Sequence, residues 1–223
     1  MKFEKTEVWG FEHAIRGMRN PLESWKKSDS IILMEQDENN DFREVAKIGK
    51  NDLELMQKLI KAGSEHRKFM RQILVSVDIT APLYWWKEAD TYKVGTVSNS
   101  TSTMHKLAST PITMDCFEMD DFADSNEESN HYNLYTKNMW SKLIDHLEAL
   151  RKEFNETKDK RYWKELIRLL PESWLQKRTI TMNYENLLNM YRHRKNHKLT
   201  EWSKSFCDWV KTLPYAEDLI CVE

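Results

Sequence analysis

Glycine and proline are both scarce in this chain, five of each in 223 residues. That speaks against a turn-rich sandwich or barrel and for long helices. Cysteine is scarcer still: Cys116, Cys207 and Cys221 are odd in number, widely spaced and without a CxxC pair. They are too dispersed to form a metal cluster, and a reduced, intracellular setting fits them best. Net charge is lacking too. With 34 basic and 36 acidic residues the balance is −2, so no global basic field argues for bulk nucleic-acid binding. No apolar run reaches the roughly 18 residues that span a bilayer. The charged start (Lys2, Glu4, Lys5, Glu7) has no long apolar stretch behind it, so no signal peptide is expected. A soluble, cytoplasmic protein without a membrane partner follows. The absence of a glycine-rich phosphate loop argues against kinase and Rossmann readings.

What is present is ordinary globular composition, 40% hydrophobic and 31% charged, long enough for one substantial core. Nine tryptophans and eight tyrosines are many for this size, and suit a core, a stacked ligand or a subunit interface. Residues 3–10 read as a strand and Phe11–Arg19 as a short helix ending at Asn20-Pro21. Residues 36–43 are polar and acidic, a surface loop. Asn51-Asp52-Leu53-Glu54 has the capping-box pattern, and Leu53, Met56, Leu59 and Ile60 continue it as a helix that stops at Gly63. The alternation over Ile73–Ile79 predicts a strand, and Pro82 opens an aromatic helical segment. Asp120 to Asn130 is acidic and reads as a mobile surface loop. From His131 onward the chain reads as mostly helical. Leu134, Met139, Trp140, Leu143, Ile144, Leu147, Leu150 and Phe154 mark a long amphipathic helix. Further helices follow over 160–170, 183–195 and 200–213. The fold class expected is α+β, a single domain over 1–223 with a small antiparallel sheet and a large helical half.

The run Asn183-Tyr184-Glu185-Asn186-Leu187-Leu188-Asn189-Met190-Tyr191-Arg192-His193-Arg194 carries most of the functional signal. Leu187, Leu188 and Tyr191 supply the buried side of a helix, and Asn183, Asn189 and Arg194 interleave with that stripe. Arginine suits a phosphate because its planar fork meets two oxygens at once, although a basic helix end completing the dipole is an equal reading. The hydroxyl run from Ser98 through Asn99, Ser100, Thr101, Ser102 and Thr103 has two readings, donors to a phosphate or base edge and a solvated loop. His193 and His197 have metal-pair spacing, yet no glutamate sits beside His193 and the intervening Arg and Lys repel a cation, so no metal is assigned. Trp85, Trp86 and Cys207 are read as core.

These residues resemble the flavin-dependent thymidylate synthases. That family has a helix reading Asn-x-Arg-x-Leu-x-Asn-x-x-x-x-Arg, soon followed by a His and a Trp-Glu pair. Asn183, Leu187, Asn189 and Arg194 fall in register with it, His197 and Glu201-Trp202 follow, and Glu185 replaces the pattern's first Arg. Leu169-Leu170-Pro171 is similar to the family's Val-Leu-Pro helix end, Ala14–Arg19 to its Ala-x-Arg-x-x-Arg segment, and Lys61–His66 to the helix end before its His/Glu-His signature. An insertion falls around 105–130. The central Arg-His-Arg signature is Thr91-Tyr92-Lys93 here, and its loop is Asn99–Thr103, with Thr103 where an Arg is usual. Lys5, Arg16, Arg19, Lys87 and Lys93 are the cations that could compensate.

The resemblance implies a homotetramer with FAD at subunit interfaces, dUMP as acceptor, methylenetetrahydrofolate as carbon donor and NADPH as reductant. It assigns the nucleotide to Asn99, Ser100, Thr101, Ser102 and Arg194, and the flavin to Tyr92, Lys93, Asn183 and Asn189. No catalytic residue is assigned. The reading is a divergent thymidylate synthase-like protein that binds a pyrimidine nucleotide and methylates dUMP to dTMP if active. The alternative is a non-catalytic nucleotide- or protein-binding module on the same scaffold.

Overall fold

Phe11, Ala14, Ile15 and Met18 recur at three- and four-residue spacing, all four are buried, and the chain carrying them coils into α1 (Phe11–Arg19) after strand β1 (Lys2–Trp9). A computed structural model of the chain describes residues 1–36, 40, 42–119 and 131–222. The acidic stretch Asp120–Asn130 and the side chain of Leu134 lie outside the described residues. A hairpin follows α1, with β2 (Ile31–Gln36) antiparallel to β3 (Phe42–Lys47). Next come α2 (Lys50–Lys61), a 3₁₀ turn over Lys68–Gln72, β4 (Leu74–Pro82), α3 (Leu83–Ala89), β5 (Val97–Ser100) and the short α4 (Thr103–Lys106). The C-terminal half holds α5 (His131–Thr157), α6 (Lys160–Leu169), β6 (Leu175–Asn183) and α7 (Tyr184–Arg194). It ends in wide π-type turns over Glu201–Phe206, α8 (Cys207–Lys211) and α9 (Ala216–Leu219). The larger sheet has the order β1-β4-β6-β5. The fold class is α+β with small antiparallel sheets, as expected. No helix among the described residues is long and apolar enough to cross a membrane.

The chain divides into two compact units. One comprises Met1, 80–88 and 100–178. Its core is Leu107, Ile112, Phe117, Ile144, Leu147, Leu150 and Leu166, so the segment after residue 105 supplies packed side chains rather than bare loop. Glu148 on α5 accepts the Ile112 N–H at 2.9 Å and an Arg151 bond at 2.6 Å. The Arg151 hydrogen bond is the main reason its carboxyl is pulled down to about 2. Trp85 and Trp86 are buried, and the Trp86 indole N–H donates to Gln176 O.

The other unit comprises 2–79, 89–99 and 179–223. Arg19 and Asp52, both buried, meet at 2.6 Å in its interior. Asp52 also accepts from the Ser28 and Ser30 hydroxyls and from the Asp29 and Ser30 N–H groups. Cys207 is buried, in keeping with its core reading.

Several expectations need correction. Residues 36 and 42–43 belong to the hairpin, with Gln36 opposite Phe42 and Glu35 opposite Arg43. Residues 37–39 and 41 lie outside the described residues. Strand β6 interrupts the stretch read as mostly helical; it ends at Asn183, which also caps the helix that follows. Asn51-Asp52 is not a cap: α2 starts earlier, at Lys50 after Gly49. The capping oxygens come from a distant residue, since Asp29 accepts the Asn51 N–H at 2.9 Å and the Asp52 N–H at 3.1 Å. Asp29→Ala is therefore expected to cost about 1 kcal/mol of stability, a typical N-cap loss, seen as a lower urea midpoint at unchanged slope.

Candidate functional site

Asn183 is the N-cap of α7. Its side-chain oxygen accepts the Asn186 N–H at 2.9 Å, while Asn186 Oδ1 accepts the Asn183 N–H at 3.1 Å. This reciprocal box orients the helix and commits one end of the Asn183 amide to it. The Asn186 amide in turn donates to Val94 O at 2.7 Å, which ties the 93–96 turn to the helix start. Gly95 makes that approach possible. It sits at φ +77°, and a Cβ there would lie 3.1 Å from Asn183 Nδ2.

At the far end of α7, the Arg194 guanidinium lies over two rings, 4.9 Å from the Trp202 centroid and 5.5 Å from that of Tyr92. Tyr92 also stacks on His193, with centroids 6.4 Å apart and planes 29° apart. Two π faces favour the cation and restrict its torsions. Trp202 is fully buried and Arg194 only half-buried, so the clamp is anchored from the inside. Lys93 beside Tyr92 is exposed, and its carbonyl accepts the Thr96 N–H at 3.2 Å.

Glu185 and Asn189, one turn apart on α7, face the 3₁₀ turn. Glu185 accepts from Arg67 Nε at 3.0 Å and from Arg71 Nε, and Asn189 Oδ1 accepts from Arg67 at 3.3 Å. Burial pushes the Glu185 carboxyl up, but the Arg71 and Arg67 bonds outweigh it and leave it below the ordinary value. Sequence reading missed these arginines because they lie 114 and 118 residues from their partner. The one available signal was the reversed charge at position 185 itself.

The hydroxyl run is solvated over most of its length, but it is not all loop. Residues 97–100 form strand β5, with Asn99 and Ser100 exposed. In the first unit, Thr101 is docked through its N–H and its hydroxyl to Lys177 O, at 2.9 and 3.2 Å. Ser102 caps α4 by accepting the His105 N–H at 3.2 Å. Local structure thus uses Thr101 and Ser102, while Asn99 and Ser100 project their side chains from an exposed strand.

Of the other cations, Arg19 is consumed by Asp52 and Lys87 by Glu172 at 2.6 Å. Arg16 lines a small cavity with Glu12, Ile15 and Trp25, and Lys5 is exposed on β1. His197 Nδ1 accepts the Leu199 N–H at 3.2 Å. Among the described residues no group of three or more His, Cys, Asp or Glu is placed to hold a metal ion.

No family model and no curated protein matches the sequence. The structure does match known ones. A crystal structure of the flavin-dependent thymidylate synthase ThyX from Helicobacter pylori, complexed with FAD and dUMP, covers 100% of both chains at TM-score 0.65 and 16% identity. A second structure of ThyX from that organism, with FAD and dUMP, covers 99% of this chain and 97% of its own at TM-score 0.66 and 17% identity. The chain has the ThyX fold. At this identity the likeness reaches the scaffold, end to end, and leaves function to the residues.

Proposed function

We propose that this chain is a divergent flavin-dependent thymidylate synthase-like protein that binds a pyrimidine nucleotide, with FAD as its cofactor. The observation that carries the reading is Arg194, held between Tyr92 and Trp202 on the helix that also bears Asn183 and Asn189. A pre-set guanidinium at a helix end suits a phosphate dianion, and full-length likeness to ThyX supports dUMP as the nucleotide. In this reading Arg194 grips the phosphate, and Asn99, Ser100, Thr101 and Ser102 offer donors to the nucleotide. The whole of 1–223 acts as one domain with an added segment around 105–130, in a cytoplasmic homotetramer.

The residues present fit a flavin dinucleotide. Lys93 offers an exposed ammonium, Tyr92 a ring, Asn189 its amide nitrogen and Asn183 what its cap leaves over. When bound, reduced flavin would supply hydride and carry the one-carbon unit, with NADPH and methylenetetrahydrofolate as co-substrates. The chain's own part is to fix the nucleotide's phosphate and orient its ring.

A non-catalytic binder is the second reading, favoured by Tyr92. Where the resembling signature is basic, this residue packs on Arg194 and His193 instead. Purified protein is expected to show flavin absorbance, alone or after adding FAD, and thermal stabilisation by both FAD and dUMP. Stabilisation by dUMP alone would favour the binder. A colourless protein without FAD affinity would remove the synthase reading.

A further inference from the structure

Position 185 holds an acid where the resembling helix pattern has an arginine, yet the charge at that place is not lost. Glu185 holds two arginines by their Nε edges, so the trio carries one net positive charge. Arg67 and Glu185 are largely buried, at 12% and 11% side-chain exposure, whereas Arg71 is 48% exposed. The terminal nitrogens of Arg71 make no hydrogen bond with any described residue. A third arginine, Arg192, is bound through Nε to Val222 O at 3.3 Å. Burial and the Arg67 charge push its guanidinium below the ordinary value, a sign of crowding. The nearby Glu65 is paired with Lys68 at 3.6 Å, so the cluster keeps two positive charges in excess. Converging cations of this kind raise the local concentration of a polyanion and are relieved by binding one.

We propose that Arg67 and Arg71, held in place by Glu185 and Asn189, form an anion site that takes a phosphate or pyrophosphate group. Arg67 is the anchored member: its Nε and one terminal nitrogen are committed to Glu185 and Asn189. Arg71 is the reaching member, half-exposed and bonded to the carboxylate through Nε, so its two terminal nitrogens are the donors left to meet a phosphate. The native source of the group, the cofactor's pyrophosphate or the nucleotide's phosphate, rests on the proposed function. The site's chemistry does not.

The test uses the full chain and Arg71→Gln, with Arg71→Lys as the charge-keeping control, titrated calorimetrically at low salt. Pyrophosphate, FAD against riboflavin, and dUMP against deoxyuridine are the probes. Arg71→Gln is expected to weaken pyrophosphate binding about tenfold to a hundredfold, the size of one or more charge-assisted bonds. Arg71→Lys should retain part of it, and the melting temperature should move little. If FAD weakens equally while riboflavin does not, the cofactor is the source. If dUMP weakens while deoxyuridine does not, the nucleotide is. Pyrophosphate binding that depends on Arg71 in a chain that takes neither FAD nor dUMP would keep this site and sink the proposed function. Affinities for all three anions within twofold of wild type in Arg71→Gln, or no anion binding by wild type, would overturn the site.

Discussion

Arg194→Ala is expected to weaken dUMP binding by about 30-fold to 5000-fold, the 2–5 kcal/mol typical of removing one partner from a hydrogen-bonded charge pair. The size follows from preorganisation. A free surface arginine must give up torsional freedom to bind, whereas this guanidinium already rests on Trp202 and Tyr92. Arg194→Lys should recover only a minor part, because a lysine keeps the charge but loses the fork and the flat face that stacks. Tyr92→Leu should cost less than Arg194→Ala, since one of the two rings remains. Calorimetric titration with dUMP checks all three, with deoxyuridine as the phosphate-free control. Equal loss for dUMP and deoxyuridine would show that Arg194 acts through structure and not through the phosphate.

Asp52→Ala is expected to destabilise the protein by about 3–5 kcal/mol, because it strands the buried Arg19 guanidinium. Arg19 would keep carbonyl bonds to Ser24 and Lys27, and the Ser28 and Ser30 hydroxyls would lose their acceptor. For comparison, Lys50→Ala breaks an exposed pair with Glu54 and should cost well under 1 kcal/mol. The pH dependence has a definite sign. Burial raises the Asp52 carboxyl, but bonds from Ser30, Ser28, Arg19 and the Asp29 N–H bring it below the ordinary 3.8. A carboxyl lowered in the folded state contributes stability above its unfolded value. That contribution fades as pH falls below 3.8 toward the folded value. Urea unfolding of wild type and Asp52→Ala should therefore differ most near neutral pH and converge in acid. A constant difference across that range would place the stabilisation elsewhere.

Helix α1 was legible because its apolar positions keep one period from Phe11 to Met18 and a Gly and an Asn-Pro bracket it. β4 was legible for the matching reason, a clean alternation of buried residues over Val75, Val77, Ile79 and Ala81. β6 was not, because Gln176, Lys177, Arg178 and Thr179 break the apolar pattern with side chains whose work lies elsewhere. Gln176, for instance, donates to Thr101 O and accepts from Arg178. The hairpin was missed since Ile31, Met34 and Phe42 are exposed and carry no burial pattern. Caps supplied from a distance defeat local reading altogether. Glu44 accepts the Gly10 and Phe11 N–H groups at the start of α1, as Asp29 does for α2. At the site, helix periodicity exposed Asn183, Asn189 and Arg194 as a set. It could not say that Asn183 is spent partly on a cap, nor that Glu185 gathers Arg67 and Arg71. The Glu185 pairings are long-range, and no window of neighbouring residues contains them.

The most direct measurement is a crystal structure of the chain grown with FAD and dUMP. The account predicts a nucleotide phosphate in the Arg194 fork, with that guanidinium still stacked on Trp202 and Tyr92. A nucleotide bound elsewhere with Arg194 untouched, or no nucleotide at saturating concentration, would contradict it.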